Sequence, residues 1–197
     1  MMTDLLDRLD AWDRQAFLAI NSLHSSWSDP LMAMVSEMLT WFPLYAVLLY
    51  VLWKRWGWRG LGVSVPVLAL MVLFSDKGSV MLFKETVQRL RPCHVPELQG
   101  QVHLWNGHCG GRYGFVSSHA SNHFAIMAFM AGILGGRPRW AAPLLFLWAT
   151  WVAYSRIYLG VHYPGDVLAG ALYGLTVGSL FFAIFRHAMD HLHRSGK

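Results

Sequence analysis

Apolar positions along the chain gather into five long runs separated by short polar breaks. A helix needs roughly 20 apolar residues to cross the hydrocarbon core of a bilayer. Residues 31–53 meet that length, with Glu37 as their one charge. Residues 61–83 do so with Asp76 and Lys77 near their end. Residues 118–134 are apolar apart from His119, Ser121, Asn122 and His123, residues 140–158 are apolar until Arg156, and residues 167–185 carry no charge. The pattern predicts five spanning helices. In the last, Gly170, Gly174 and Gly178 stand four apart. Small residues on one face let helices approach closely. The stripe is expected to serve packing within the chain, with a homodimer as the lesser alternative.

Ahead of these runs, Leu5, Leu9, Trp12, Ala16, Ile20 and Leu23 recur at helical spacing. Asp4, Asp7, Arg8, Asp10, Asp13 and Arg14 fill the other faces. An amphipathic helix over residues 1–24 follows, and two placements fit it equally: flat on the membrane surface, or packed on the end of the bundle. Residues 21–30 read as a turn-rich connection, so 1–30 form an interfacial helix and its linker. No run reads as a cleaved signal peptide, because the first apolar run starts late, after an acidic segment and without a basic flank.

Composition sharpens this picture. Of 197 residues, 55% are hydrophobic and 14% charged, where a soluble domain carries about 25% charged residues. Mean hydropathy is +0.35. These values argue against a soluble enzyme, a disordered chain and a nucleic-acid binder. Ten Trp, 11 Phe and 7 Tyr suit broad bilayer interfaces. The fold class expected is all-α: a polytopic membrane bundle in one domain, 1–197, with five transmembrane helices and an N-terminal amphipathic helix.

Orientation is read from Lys and Arg in the short loops. Lys54, Arg55, Arg59, Arg137, Arg139, Arg186, Arg194 and Lys197 fall on one side. Arg8, Arg14, Lys77, Lys84, Arg89, Arg91, Arg112 and Arg156 fall on the other. The counts tie. Several of the second set sit in chemically suggestive positions and the first set has no evident other work, so the first side is assigned to the cytoplasm. The loop 84–117 then faces outward. It holds the two cysteines, Cys93 and Cys109. Thiols outside the cytoplasm are oxidised, and an intramolecular bond in this chain can join only these two. Such a bond would tether Arg91 near Ser117.

Ionisable residues in or at the ends of spans are expensive and point to function. Three clusters fall on the outward face: Lys84 with Arg91-Pro92, Ser117-Ser118-His119, and Ser155-Arg156 with His162 and Asp166. Arg matches phosphate oxygens with a planar fork, and Lys adds a point charge. Ser117 is a natural N-cap for the third span, and free N–H groups there favour an anion. Asp166 follows His162 by four residues, which places both on one helical face if the segment is helical. A carboxylate so placed holds one ring nitrogen protonated and leaves the other free as a nucleophile.

The run Lys84-(six residues)-Arg91-Pro92, Ser117-Ser118-His119 and Ser155-Arg156-(five residues)-His162-(three residues)-Asp166 resembles the three-part signature of the type-2 phosphatidic acid phosphatase superfamily. The chain as a whole looks most like small bacterial undecaprenyl-diphosphate phosphatases. The resemblance implies a bacterial inner-membrane, multi-pass enzyme with its site facing the periplasm or cell exterior. It implies a lipid phosphate substrate, undecaprenyl diphosphate first, with phosphatidylglycerophosphate, phosphatidic acid and lipid A phosphate as alternatives, and no cofactor or metal. By resemblance, Lys84, Arg91 and Arg156 bind phosphate oxygens with Ser117 and Ser118, His162 attacks phosphorus, Asp166 orients His162, and His119 protonates the leaving oxygen. The family commonly has Pro before the motif serine and Gly after it; here these are Val116 and Ser118. Those departures bear on substrate preference.

A different class of function, an ion-coupled transporter, would spread its His, Asp and Lys residues through the membrane depth rather than at span ends. A haloperoxidase shares the motifs but not the five apolar spans. His119 and His123 have a spacing that can bind zinc, yet lack a free third ligand. His123 is expected to support or pack, His187, His191 and His193 to lie in a solvated tail, and Lys77 to share a helical face with Lys84. Asp76 reads as a tuning or structural charge, and Glu37 as a structural hydrogen-bonding residue.

Overall fold

The computed structural model describes residues 2–195, and no strand occurs among the described residues. The order is α1 (Met2–Asn21), α2 (Ser28–Ser36), a 3-10 turn (Met38–Trp41), α3 (Phe42–Gly78), a π-helical stretch (Ser79–Lys84), the single turn α4 (Glu85–Val87), a loop with three short 3-10 turns, α5 (Ser118–Leu134), α6 (Ala141–Tyr158) and α7 (Pro164–Ser195).

Two boundaries differ from the hydropathy reading. The run 31–53 is not one helix: Glu37 takes an extended conformation (φ −80°, ψ 129°) and separates α2 from the next element. Within α3, Gly57 has φ 65° and ψ −169°, a left-handed φ that glycine adopts without steric cost. A straight 37-residue helix would be about 55 Å long. Yet Tyr45 and Asp76, near its two ends, line one cavity. The limbs 42–56 and 58–78 therefore fold back on each other at Gly57. By length and composition, Met38–Val87 and Pro164–Ser195 are long and apolar enough to cross a membrane. The 17 residues of α5 and 18 of α6 make helices of about 26 Å.

The core of the bundle is α5 against α7. A Cβ at Gly170 would come within 2.6 Å of the Ser117 carbonyl oxygen, and Cβ atoms at Gly174 and Gly178 would run into the Ser121 and Ala125 carbonyls. The glycine stripe thus serves packing inside the chain. Phe124, Phe129, Met130 and Ile133 of α5 are buried around it, with Val177 and Phe185 of α7. The polar tail after residue 185 continues α7 to Ser195, with His187, His191 and His193 exposed as expected, and Lys197 lies outside the described residues.

The connections sort into two ends. Trp56 packs edge-on to Phe185 at 5.2 Å, and the Arg55 guanidinium reaches the Gly135 turn that closes α5. At the other end lie α1, the loop 88–117 and residues 159–163. The loop is a narrow ribbon at its base, where the Arg91 N–H donates to the Arg112 carbonyl (3.1 Å) and the Gly114 N–H to the Arg89 carbonyl (2.9 Å). A disulfide joins Cys93 to Cys109 across Cα atoms 6.1 Å apart.

Helix α1 is docked on one face and bare on another. Phe17 is fully buried and meets the Tyr163 ring edge-on at 5.4 Å. Burying such a side chain stabilises by roughly 1.5–3 kcal/mol. The Asn21 side chain donates to the carbonyls of Tyr158 (2.7 Å) and His103 (3.0 Å). Leu5, Leu9 and Trp12 remain exposed, at 56%, 48% and 65%.

Candidate active site

Helix termini deliver most of the site. Ser117 is in extended conformation and its hydroxyl accepts the Ala120 N–H, the N-cap expected for α5. Its own N–H donates to the Asp166 carbonyl at 3.0 Å. One residue on, the Ser118 hydroxyl accepts from Lys84 Nζ at 2.8 Å and shares a 2.6 Å hydrogen bond with Ser79. Lys84 reaches this point because it ends the π-helical stretch. A π segment holds more residues per turn than an α-helix, so the expected face-sharing of Lys77 with Lys84 fails. Lys77 is exposed, and Asp76 lines the cavity instead.

Arg91 is fixed by the ribbon. Its Nε donates to the Tyr113 carbonyl (3.3 Å), and its terminal nitrogen donates to the carbonyls of Cys109 (3.2 Å) and Val161 (3.5 Å). Arg156, in the last turn of α6, donates to the Ser36 hydroxyl, and its buried Nε has no partner among the described residues. Burial lowers the Arg91 guanidinium from its ordinary value, and the Asp166 charge offsets part of that.

His162 lies just before α7, not on it, and Asp166 lies in the first turn. The pair is nonetheless joined: Nδ1 of His162 is 3.4 Å from Oδ2 of Asp166. The Tyr163 N–H donates to the same oxygen at 3.0 Å. Both residues are fully buried. Burial, followed by repulsion from Arg91, Arg156 and Lys84, holds His162 well below the usual histidine range. The imidazole is therefore neutral at physiological pH, the form that carries a nucleophilic lone pair. Burial also pushes the Tyr163 hydroxyl up to about 12.

These groups surround one cavity of ≈ 510 Å³. Lys84, Arg91, Ser118, His119, Arg156 and His162 line its polar part. Leu48, Leu68, Ile126 and Met130 continue it between α3 and α5. Ser117 and Asp166 stand behind this wall, engaged in the α5 cap and in contact with His162. His123 lies deeper in the cavity: Nδ1 donates to the His119 carbonyl (2.8 Å), and Nε2 is 3.5 Å from the Tyr45 hydroxyl. Its ring packs against Trp148 at 5.1 Å.

Sequence reasoning missed the groups behind His162. Arg89 donates to Asp166 Oδ1 (2.9 Å), Asp13 Oδ2 (2.8 Å) and Asp10 Oδ1 (2.8 Å). The signal was present in α1, where Asp10, Asp13, Phe17 and Asn21 fall on one stripe at i, i+3, i+7 and i+11. A second polar cluster joins His103 Nε2 to Asp29 Oδ2 at 2.8 Å, with His24 nearby. The His24 and His103 rings stack at 3.9 Å and 10°.

The sequence model of the PAP2 superfamily matches residues 65–190. The chain is 37% identical over 182 residues to the lipid A 4'-phosphatase of Bacteroides thetaiotaomicron, covering 91% of this chain and 80% of that one. It is 30% identical over 155 residues to YbjG of Escherichia coli, whose name marks it as a candidate undecaprenyl-diphosphatase, covering 79% and 71% of the two chains. Among solved structures, the PAP2-type phosphatidylglycerolphosphate phosphatase of Bacillus subtilis superposes with a TM-score of 0.64 at 21% identity, over 93% of this chain and 87% of that one.

Proposed function

The chain belongs to the PAP2 superfamily, and on that premise we propose that this membrane lipid phosphatase hydrolyses its substrate through a phosphohistidine at His162. The observation that carries the reading is the single cavity in which three cations, His119, His162 and the Ser118 hydroxyl meet an apolar channel. Lys84, Arg91 and Arg156 bind the phosphate oxygens with Ser118 at the α5 N-terminus, whereas Ser117, expected among these ligands, is buried behind the wall as the helix cap. Positioning and charge stabilisation supply most of the catalysis of phosphoryl transfer.

In the first step Nε2 of His162 attacks phosphorus. The P–N bond forms as the P–O bond to the lipid breaks, and His119 gives its proton to the leaving oxygen. In the second, His119 takes a proton from water, the water oxygen attacks phosphorus, and the P–N bond breaks to release inorganic phosphate. Asp166 holds the Nδ1 proton of His162 throughout. None of these steps calls on a metal.

The substrate class favoured is a phosphate monoester on a glycolipid of the lipid A type, supported by the relative that matches nine-tenths of the chain. Undecaprenyl diphosphate, the lipid expected from the sequence, is the second reading and is supported by the weaker likeness to YbjG. The apolar cavity wall would take the lipid body in either case. Five spans, a bacterial inner-membrane location and an outward-facing site complete the proposal. The tie in loop charges is eased by the engagement of Arg14, Lys84, Arg89, Arg91 and Arg156 in ion pairs or in the cavity.

The test is phosphate release by detergent-solubilised protein in excess chelator, from lipid A and from undecaprenyl diphosphate in parallel. Release from either, abolished by His162→Ala, is expected. Release that depends on added divalent metal, or survives His162→Ala above a few per cent, refutes the mechanism.

A further inference from the structure

Arg89 takes no part in the mechanism above, yet it sits directly behind the nucleophile. One terminal nitrogen bridges Asp166 Oδ1 and Asp13 Oδ2, and the other binds Asp10 Oδ1. Its guanidinium carbon lies 4.1 Å over the Tyr163 ring. The second oxygen of Asp13 accepts the Gly165 N–H at 2.7 Å, one residue before Asp166. Asp10 is held in turn by Arg14 at 2.6 Å.

Each link has a physical consequence for His162. Asp166 is wholly excluded from solvent, and a buried carboxylate without a partner is strongly destabilising. Arg89 supplies the partner, and by occupying Oδ1 it leaves Oδ2 facing His162 and the Tyr163 N–H. A guanidinium bound to Asp166 alone would draw negative charge away from the histidine. Asp10 and Asp13 bind Arg89 from its far side, so the five side chains together carry one net negative charge. Arg89 is correspondingly held above its ordinary value: burial opposes its charge, but Asp166, Asp13 and Asp10 outweigh it.

We propose that Arg89 and Asp13 are positioning residues of the phosphatase, through which the N-terminal helix α1 fixes the rotation and charge of Asp166 and so the reactive form of His162. The inference rests on the assignment of His162 as nucleophile. It makes α1, which contributes nothing to the cavity wall, a working part of the active site.

The experiment uses the full chain in detergent with variants Arg89→Gln, Arg89→Lys, Asp13→Asn and His162→Ala, and reads kcat, KM and the pH profile of kcat/KM. In Arg89→Gln, kcat falls by at least about 10-fold with KM within roughly two-fold, the mark of an interaction realised in the transition state. Arg89→Lys recovers part of kcat, because a point charge replaces the fork. The pH profile separates positioning from bulk structure. Arg89→Gln removes a positive charge near His162 and moves the acid limb to higher pH. Asp13→Asn removes a negative one and moves it to lower pH. The other groups facing His162, namely Lys84, Arg91, His119, Arg156 and Asp166, are the same in both.

Should Arg89→Gln fail to fold, Asp13→Asn, at a partly exposed carboxylate, carries the test alone. Variants that fold and keep kcat within two-fold of wild type, or acid limbs that move in the same direction, overturn the proposal while leaving the nucleophile assignment intact. A wild-type chain as inactive as His162→Ala overturns that assignment and the proposal with it.

Discussion

Opening the Cys93–Cys109 disulfide should loosen the wall of the cavity by a calculable amount. The bond closes a segment with a sequence separation of 16. In the chain-entropy account, closing a loop of that size is worth about 3 kcal/mol. The ribbon base stays anchored by its own hydrogen bonds, so the cost falls on local opening rather than on the whole fold. At 1.4 kcal/mol per factor of ten, the open fraction of residues 94–108 rises roughly 100-fold. The same opening frees the Cys109 carbonyl that accepts from Arg91, so kcat/KM falls as well. The assay is limited chymotrypsin cleavage at Leu104 and Trp105, comparing the oxidised chain with Cys93→Ser/Cys109→Ser. When reclosing outpaces cleavage, the rate tracks the open population. A cleavage rate within about threefold of the oxidised chain, a change of only ~0.6 kcal/mol, would refute the reasoning.

Gly174→Ala places a methyl group against the Ser121 carbonyl and is expected to destabilise by about 1–3 kcal/mol, with Gly174→Leu giving little folded protein; thermal unfolding in detergent measures both, and an unchanged midpoint for the leucine variant would contradict the packing. Acidification from pH 8 to 6 should not reduce kcat/KM through protonation of His162, because burial and then the cations around it hold that group well below 6.5; a limb at 6.5 that moves to higher pH in a variant lacking one of those cations would contradict this. The unfolded chain binds a proton at this residue below about 6.5 while the folded chain does not, so its contribution to stability is full above that pH and shrinks as pH falls.

Much of this architecture was legible because hydropathy and caps act locally. Ser117 and the apolar run after it mark α5, and Tyr158 ends α6 where the run was expected to end. The glycine stripe of α7 announced close packing before a partner was known. Other features arise from non-local contacts. Glu37 breaks a run that hydropathy joins, and the fold-back at Gly57 is set by packing of both limbs around the cavity. Residues 186–195 look like a tail by composition, yet Met189 is buried and His193 bonds back to its carbonyl, so the helix continues. The cations and histidines of the cavity stood out as charges too costly to place at span ends without work to do. Asp10 and Asp13 did not, because acidic residues on an amphipathic helix usually face water. Only their partners, 76 or more residues away in Arg89 and Gly165, reveal what they hold.

That separation also orders events in time. The Asp13–Gly165 contact spans 152 residues. At about 5–20 residues per second of synthesis, roughly 8–30 s pass between the making of its two halves. Helix α1 is synthesised long before His162, and the Asp13–Gly165 contact can form only after synthesis has passed residue 165. On the proposed mechanism, a ribosome-bound chain stopped short of residue 162 would hold Lys84 and Arg91 but lack the histidine that attacks phosphorus. The docking of a helix made early thus waits on a turn made late.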